Sequence, residues 1–233
     1  MVAQLPLTIR MDDELTLDNF MRRPSLEHLI RAITEGAASE PLAVYMWGGE
    51  GTGKSHLLQA LCHQLGNNAL YLPMGGLTDI PPAALLENHE AIALLAVDDV
   101  ESVVGGPWEE ALFHCFNQRR ERHLAQVFAG AGAPASLTSM LPDLRSRLGS
   151  LMVYQLAKFN EQELESLLAF RAARRGIKLS SEVLGYLLAR MPRSVPAVMA
   201  LLEELDREGL ARGRAITIPL IASLKLVSSD PSA

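Results

Sequence analysis

The sequence has little cysteine, few aromatic side chains and no long run of apolar residues. Its two cysteines, Cys62 and Cys115, lie far apart, and aromatic residues make up 5% of the chain. Isolated cysteines on predicted helices are typical of buried, reduced thiols, so no disulfide framework is predicted. The six histidines show no metal-ligand spacing, and we expect no metal site built from histidine or cysteine.

The apolar stretches are also too short to cross a bilayer. The longest of them, such as residues 91–97, fall far below the ~20 residues that a membrane helix needs. The first residues lack the cationic and apolar regions of a signal peptide. We therefore expect a cytoplasmic protein that does not associate with membranes.

Basic charge is scarce as well. The chain has 21 Lys and Arg against 27 Asp and Glu, for a net charge of −6. A protein that binds nucleic acid by itself needs a concentrated basic face, so we expect contact with DNA only indirectly, through partners. With 233 residues, of which 48% are hydrophobic, the chain can form one globular domain with a smaller satellite.

Five apolar runs predict β-strands. They are residues 42–47, 68–74, 91–97, 125–130 and 151–156. The runs 68–74 and 91–97 are continuous rather than alternating, which is typical of strands buried on both faces of a parallel sheet. Helical patterns separate them, so we expect an α/β fold in which helices flank a parallel five-stranded sheet.

From about Phe159 onwards the pattern is helical. Asn160, followed three residues later by Glu163, indicates an N-terminal capping box, and further amphipathic helices follow. The expected organisation is an extended N-terminal segment (1–14), an α/β base (15–157), a small helical lid domain (158–226) and a tail (227–233).

A glycine-rich loop follows the first predicted strand. Residues 48–55 read GGEGTGKS and match the pattern G-x-x-x-x-G-K-[ST] between a strand and a helix. In such a loop the backbone N–H groups surround phosphates at the positive end of the helix. Lys54 can reach the β- and γ-phosphates, and the Ser55 hydroxyl can bind Mg²⁺. The residues expected to contact a nucleotide here are Gly49, Gly51, Thr52, Gly53, Lys54, Ser55 and His56.

Two acidic residues end the third apolar run, LLAVDDV (94–100). At the tip of a strand, Asp98 can hold Mg²⁺ directly or through water, and Asp99 can orient an attacking water molecule. Taken alone, two such residues are also typical of a solvated turn. Together with the glycine-rich loop they predict a Mg²⁺–nucleotide site that takes ADP, ATP or another nucleotide.

The glycine-rich loop, the two acidic residues and the helical C-terminal part together resemble the AAA+ ATPases, and within them the DnaA branch. The resemblance runs from about Gln4 to Leu226. It implies a P-loop base with a helical lid. The sequence LTLDNFMRRPS (15–25), which we call the leading segment, is similar to the stretch that packs against the nucleotide base in this family. That similarity implies such a role for Phe20.

The sequence LPDLRSRLGSLMVYQL (141–156) resembles the stretch that carries the family's arginine finger. The resemblance maps this role to Arg147, and the alternative is an ordinary surface arginine. An arginine finger acts on the phosphates of a neighbouring subunit, where it stabilises transition-state charge.

Two positions depart from the family pattern. Ala131 stands where the family has a polar sensor residue, and Pro196 stands where relatives carry the sensor arginine of the lid. Arg193, one turn earlier, either substitutes for that arginine at the nucleotide or is a solvated charge. Weakened sensors predict a protein that binds nucleotide better than it hydrolyses it, with weak ATPase activity of its own.

The chain begins with an alternating apolar stretch, AQLPLTIR (3–10). Gln4, Leu5, Leu7 and Ile9 resemble the short motif by which bacterial proteins bind the DNA polymerase sliding clamp. An extended peptide of this kind places alternate side chains in an apolar groove. The alternative is an edge strand that joins the chain's own sheet.

The resemblance implies a regulator of replication initiation. Such a protein docks on ATP-loaded DnaA and, with the DNA-loaded sliding clamp, stimulates ATP hydrolysis by DnaA, which inactivates it and prevents re-initiation. DnaA itself continues into a basic DNA-reading module, and no such module precedes Ala233. The alternatives are an autonomous AAA+ ATPase, such as a helicase or clamp loader working as a homo-oligomeric ring, and a P-loop kinase. The sequence leaves the oligomeric state open.

Overall fold

A computed structural model describes residues 11–35, 41–212 and 216–223. The candidate clamp-binding residues Gln4, Leu5, Leu7 and Ile9 and the tail 227–233 lie outside the described residues. The chain divides into two compact units, Met1–Ala157 and Lys158–Ala233. In the described part, no helix is both long and apolar enough to cross a membrane.

The first unit is built on a five-stranded sheet in which every neighbouring pair is parallel, as the apolar runs predict. The strands are β1 (Ala43–Trp47), β2 (Ala69–Pro73), β3 (Leu94–Asp98), β4 (Ala125–Gly130) and β5 (Met152–Gln155). Their order across the sheet is β2-β3-β4-β1-β5. The loop that follows β1 therefore lies between the ends of β4 and β5.

Helices cover both faces of this sheet. They are α1 (Glu27–Glu35), α2 (Lys54–Leu65), α3 (Pro82–Leu86), α4 (Pro107–Glu121) and α5 (Pro142–Gly149). On β1, Val44 and Met46 pack in the cluster that contains residues of α1 and α2, whereas Tyr45 packs in the cluster that contains residues of α4 and α5. Successive side chains of a strand point to opposite faces, so burial on both sides requires the continuous apolar run.

The second unit is helical. Its helices are α6 (Glu161–Arg174), α7 (Ser181–Leu188), α8 (Val195–Arg212) and α9 (Ile218–Ser223). Asn160 caps α6 as its spacing from Glu163 predicts, because each residue's side chain accepts the other's backbone N–H at 2.9 Å. The interior is formed by buried aliphatic side chains, among them Leu164, Leu168, Leu187, Val198, Leu202 and Leu205.

Both cysteines are free and buried, as predicted. Burial raises the pKa of the Cys62 thiol to about 12, and burial is also the main reason why the pKa of Cys115 is raised to about 12. A thiol in this state is a poor nucleophile, so both residues act as small apolar side chains of the core.

One residue that the sequence does not single out is Arg119, near the end of α4. Its side chain is fully buried, and its guanidinium donates to backbone carbonyl oxygens that precede β3 and begin β4. These acceptors are His89 (2.6 Å), Ile92 (3.1 Å), Ala93 (3.2 Å) and Ala125 (2.6 Å). Burial lowers the pKa of this guanidinium. Arg119 therefore joins a helix to two neighbouring strands through charge-assisted hydrogen bonds.

We expect Arg119→Met to lower the free energy of unfolding by about 3 kcal/mol, because several buried carbonyl oxygens lose a charged donor. Chemical denaturation followed by circular dichroism measures this change. The exposed neighbour Arg120 supplies the control, and Arg120→Met should shift stability by no more than about 0.5 kcal/mol. Equal effects of the two substitutions would contradict the structural role of Arg119.

Candidate nucleotide-binding site

The glycine-rich loop joins β1 to α2, and its path requires glycine. A Cβ on Gly48 would lie 2.3 Å from the carbonyl oxygen of Leu156. Gly51 and Gly53 have φ values of +73° and +100°, in the region that favours glycine. The backbone of the loop thus packs directly on the backbone that follows β5.

Lys54, the first residue of α2, is buried beneath this loop. Its ammonium donates to the carbonyl oxygens of Gly48 at 2.7 Å and Gly49 at 3.1 Å. The hydroxyl of Thr52 also donates to Gly49, at 2.9 Å. Ser55 follows Lys54 at the exposed start of the helix. A positive side chain and a helix N-terminus therefore meet at one place, which suits an anion.

Asp98 and Asp99 stand at the end of β3. Asp98 is 1% exposed, and its carboxylate accepts from the Tyr71 hydroxyl at 2.9 Å and the Asp99 backbone N–H at 3.1 Å. Burial, followed by the charges of Asp98 and Glu101, raises the pKa of Asp99, and the charge of Lys54 opposes that shift. Carboxylate and hydroxyl oxygens are the ligands that Mg²⁺ prefers, so Asp98 and Ser55 have suitable chemistry for this ion.

The leading segment packs against the loop through Phe20. This ring lies edge-on to the His56 ring, with 5.2 Å between centroids, and approaches within 3.2 Å of the position that a Cβ on Gly53 would occupy. His56 Nε2 donates to the Thr16 carbonyl at 2.9 Å. The structure thus brings together Phe20, His56 and the glycine-rich loop.

Sequence reasoning missed Arg23, which anchors the leading segment. Its buried guanidinium donates to the carbonyl oxygens of Ala157 at 2.7 Å and Thr52 at 3.1 Å. These bonds tie the leading segment to the glycine-rich loop and to the end of the first unit. The adjacent Arg22 is exposed, and no local pattern distinguishes the two arginines.

Sequence reasoning also missed Glu101, which lies just after β3. Both oxygen atoms of its carboxylate accept from the backbone N–H of Ala131, at 3.1 and 3.2 Å. Ala131 follows β4 at the position where a polar sensor was expected from the family. The backbone N–H that follows β4 is therefore bound by a carboxylate from the turn after β3, the neighbouring strand.

Arg147 lies on α5 in the first unit and is half-buried. Its side chain forms no hydrogen bond or ion pair with any of the described residues. The start of α5 is held by Glu109, whose carboxylate accepts from the backbone N–H groups of Leu141 at 2.7 Å and Gly105 at 3.1 Å. A fixed helix thus carries an arginine that has no partner in the described part of its own chain.

Arg193 lies in the helical unit, where it is exposed and forms an ion pair with Glu161 at the start of α6. Its contact with a nucleotide stays a prediction. Pro196 is the second residue of α8, within the first turn, where a missing backbone N–H costs no helical hydrogen bond. This placement explains why α8 tolerates proline at that position.

Comparison with known proteins gives three kinds of similarity. The sequence model of the family described as "Hda, lid domain" matches residues 161–224. An uncharacterized protein of Haemophilus influenzae is 33% identical over 229 residues, which cover 96% of this chain and 99% of that protein.

Among solved structures, domain III of the Thermotoga maritima replication initiation protein DnaA has a TM-score of 0.76 and 20% identity, over 95% of this chain and all of that one. AMPPCP-bound DnaA from Aquifex aeolicus has a TM-score of 0.70 and 21% identity, over 86% of this chain and 68% of that one. At these identities the two structures show the fold alone: the α/β unit and the helical unit of this chain match the fold of these DnaA structures.

Proposed function

Because this chain belongs to the Hda/DnaA-related AAA+ proteins, we propose that it is a nucleotide-binding regulator of replication initiation that stimulates ATP hydrolysis by DnaA. The observation that carries this proposal is the meeting of the glycine-rich loop, Lys54 and Asp98 at one edge of the parallel sheet. In the AAA+ fold these groups face the phosphates of a nucleotide. We assign the roles of the other site residues from their positions relative to these groups.

In the proposed site, Lys54 exchanges its contacts with Gly48 and Gly49 for phosphate oxygens of ADP or ATP. The N–H groups of Gly49, Gly51, Thr52 and Gly53 donate to the same phosphates. Phe20 and His56 lie beside the base and sugar, and a contact of Arg193 with the nucleotide stays a prediction.

Ser55 and Asp98 hold Mg²⁺, which neutralises phosphate charge when it is bound. Asp99 orients a water molecule for hydrolysis. Weak hydrolysis by the chain itself is expected because Ala131 offers no polar side chain at the place where the family has a polar sensor. The protein therefore acts mainly through a partner.

We assign the stimulation of ATP hydrolysis by DnaA to Arg147. A half-buried arginine on a fixed helix, without a bonding partner among the described residues, is suited to enter a neighbouring protein's site. There it would stabilise the charge that develops on the phosphates of ATP bound to DnaA. The nucleotide of the chain itself would keep the base in the conformation that presents α5.

The sliding clamp is the second proposed partner. Gln4, Leu5, Leu7 and Ile9 would bind an apolar groove on the clamp as an extended peptide. Anchoring on a clamp that encircles DNA would raise the local concentration near DnaA toward the ~mM range. An acidic chain would then reach DNA through its partner.

The first test concerns Lys54. We expect Lys54→Ala to lose the rise in melting temperature that ADP produces in the wild type, because the substitution removes the ammonium that binds phosphate. Ligand at 100 times its dissociation constant adds about 2.7 kcal/mol to stability. The control Lys158→Ala, at an exposed lysine, should keep the full shift. An undiminished shift in Lys54→Ala would exclude the proposed phosphate contact.

The second test separates nucleotide binding from action on DnaA. Arg147→Ala should bind ADP normally and reduce the stimulation of DnaA's ATP hydrolysis on the order of 10³-fold, as for other arginine fingers. Phosphate release, measured with DnaA and DNA-loaded clamp, reports this loss. Arg145→Ala removes a half-buried arginine of the same helix and should preserve stimulation. Equal stimulation by both variants would show that Arg147 is an ordinary surface arginine.

The third test addresses the N-terminal motif. The triple substitution Gln4→Ala, Leu5→Ala and Leu7→Ala should abolish clamp binding in surface plasmon resonance, with ADP binding and melting temperature unchanged. Thr8→Ala changes a position where the motif accepts any residue, and it should bind the clamp like the wild type. If the triple variant unfolds, the segment belongs to the chain's own core instead.

A further inference from the structure

A chain of buried polar side chains crosses the apolar core beside the glycine-rich loop. The amide Nε2 of Gln59 donates to the Tyr71 hydroxyl at 3.3 Å, and this hydroxyl donates to Oδ2 of Asp98 at 2.9 Å. In the other direction, Oε1 of Gln59 accepts from the backbone N–H of Asp12 at 2.8 Å. Gln59 is 8% exposed, Tyr71 is 6% exposed and Asp98 is 1% exposed.

The core does not require these polar atoms for packing. Tyr71 belongs to an apolar cluster with Leu57, Leu61 and Ala96, where a phenylalanine ring would fill the same volume. Buried polar groups are costly unless every one of them finds a partner. Here the hydroxyl both donates and accepts, and Gln59 uses both ends of its amide. A network satisfied in this way fixes the orientation of its members, of which Asp98 stands at the site.

Asp98 is held through both of its oxygen atoms. Oδ2 accepts from Tyr71, and Oδ1 accepts from the backbone N–H of Asp99 at 3.1 Å. A carboxylate has about four lone-pair sites, so both oxygens can still bind a cation or its water. The orientation of the carboxylate is thus set by the protein, and partners of this kind strengthen metal binding.

We propose that Tyr71 and Gln59 are positioning residues for Asp98 as a Mg²⁺ ligand. Tyr71 orients the carboxylate, and Gln59, anchored on the backbone of Asp12, orients Tyr71. This inference rests on the proposed nucleotide site, in which Asp98 binds Mg²⁺. The two residues should act on the part of nucleotide affinity that depends on Mg²⁺, and not on the phosphate contacts of Lys54.

The experiment is a calorimetric titration of the full-length protein with ADP, once in EDTA and once in saturating Mg²⁺. Tyr71→Phe removes the hydroxyl and keeps the ring. We expect its affinity for ADP in EDTA to equal that of the wild type. The gain in affinity that Mg²⁺ produces should fall about tenfold, as for other partners that orient a metal ligand.

Two further variants show whether the residues act in series. Gln59→Met should reduce the Mg²⁺ gain less than Tyr71→Phe does. The double variant should match Tyr71→Phe alone, because Gln59 acts through the hydroxyl. Tyr154→Phe is the matched control: its ring packs against the same apolar cluster, and its hydroxyl has no hydrogen-bond partner among the described residues. This control should keep the full Mg²⁺ gain.

A merely structural role would lower the melting temperature of the free protein and weaken ADP binding equally in EDTA and in Mg²⁺. That result, or a full Mg²⁺ gain in Tyr71→Phe, would overturn the positioning role and leave the nucleotide site intact. A wild type that binds ADP equally in EDTA and in Mg²⁺ would refute the Mg²⁺ site itself, and the positioning role with it.

Discussion

The carboxyl edge of the parallel sheet, at the point where the chain leaves β1, is the constraint on which the site depends. The backbone N–H of Gly48 donates to Gly130 at the end of β4, at 3.2 Å, while its Cα faces the carbonyl of Leu156 beyond β5. The glycine-rich loop is therefore held by backbone on both sides, and Lys54 begins α2 at a defined place. All five strands run in the same direction, so Asp98 at the end of β3 lies at the same edge.

Charge at this edge is divided between one buried cation and several carboxylates. Lys54 is satisfied by carbonyl oxygens of the loop, whereas Asp98, Asp99 and Glu101 lie near one another. Burial, followed by the charges of Asp98 and Glu101, raises the pKa of Asp99, so its ionised form is less favourable there than in water. A divalent cation would relieve this repulsion, and phosphates would engage the lysine and the loop. This distribution of charge supports the proposed site for a nucleotide with its metal ion.

Three arginines of the first unit differ in their burial and in their hydrogen-bond partners. Arg119 and Arg23 are buried, and each joins backbone segments that are distant in the sequence, through hydrogen bonds to carbonyl oxygens. A guanidinium bound in this way holds a fold together and is not free for chemistry. Arg147 has no such partner among the described residues, although its helix is fixed through Glu109. Arg145 on the same helix is likewise half-buried and without a side-chain partner among the described residues, so it is the resemblance of residues 141–156 to the family's arginine-finger stretch that makes Arg147 the candidate for action on another protein.

Local pattern alone predicted much of the fold and the place of the candidate site in it. The five strands, the glycine-rich loop and the cap formed by Asn160 and Glu163 depend on residues that are close in the sequence, so their spacing reveals them. The order of the strands, the bond from Arg23 to Ala157 and the bond from Tyr71 to Asp98 could not be predicted in this way. The two bonds join residues that are 134 and 27 positions apart. Nothing near Arg23 or Tyr71 in the sequence distinguishes them from an exposed arginine or any other buried tyrosine. Only the packing of the sheet and its helices decides which polar group meets which, because a buried donor is stable only where the fold brings it an acceptor.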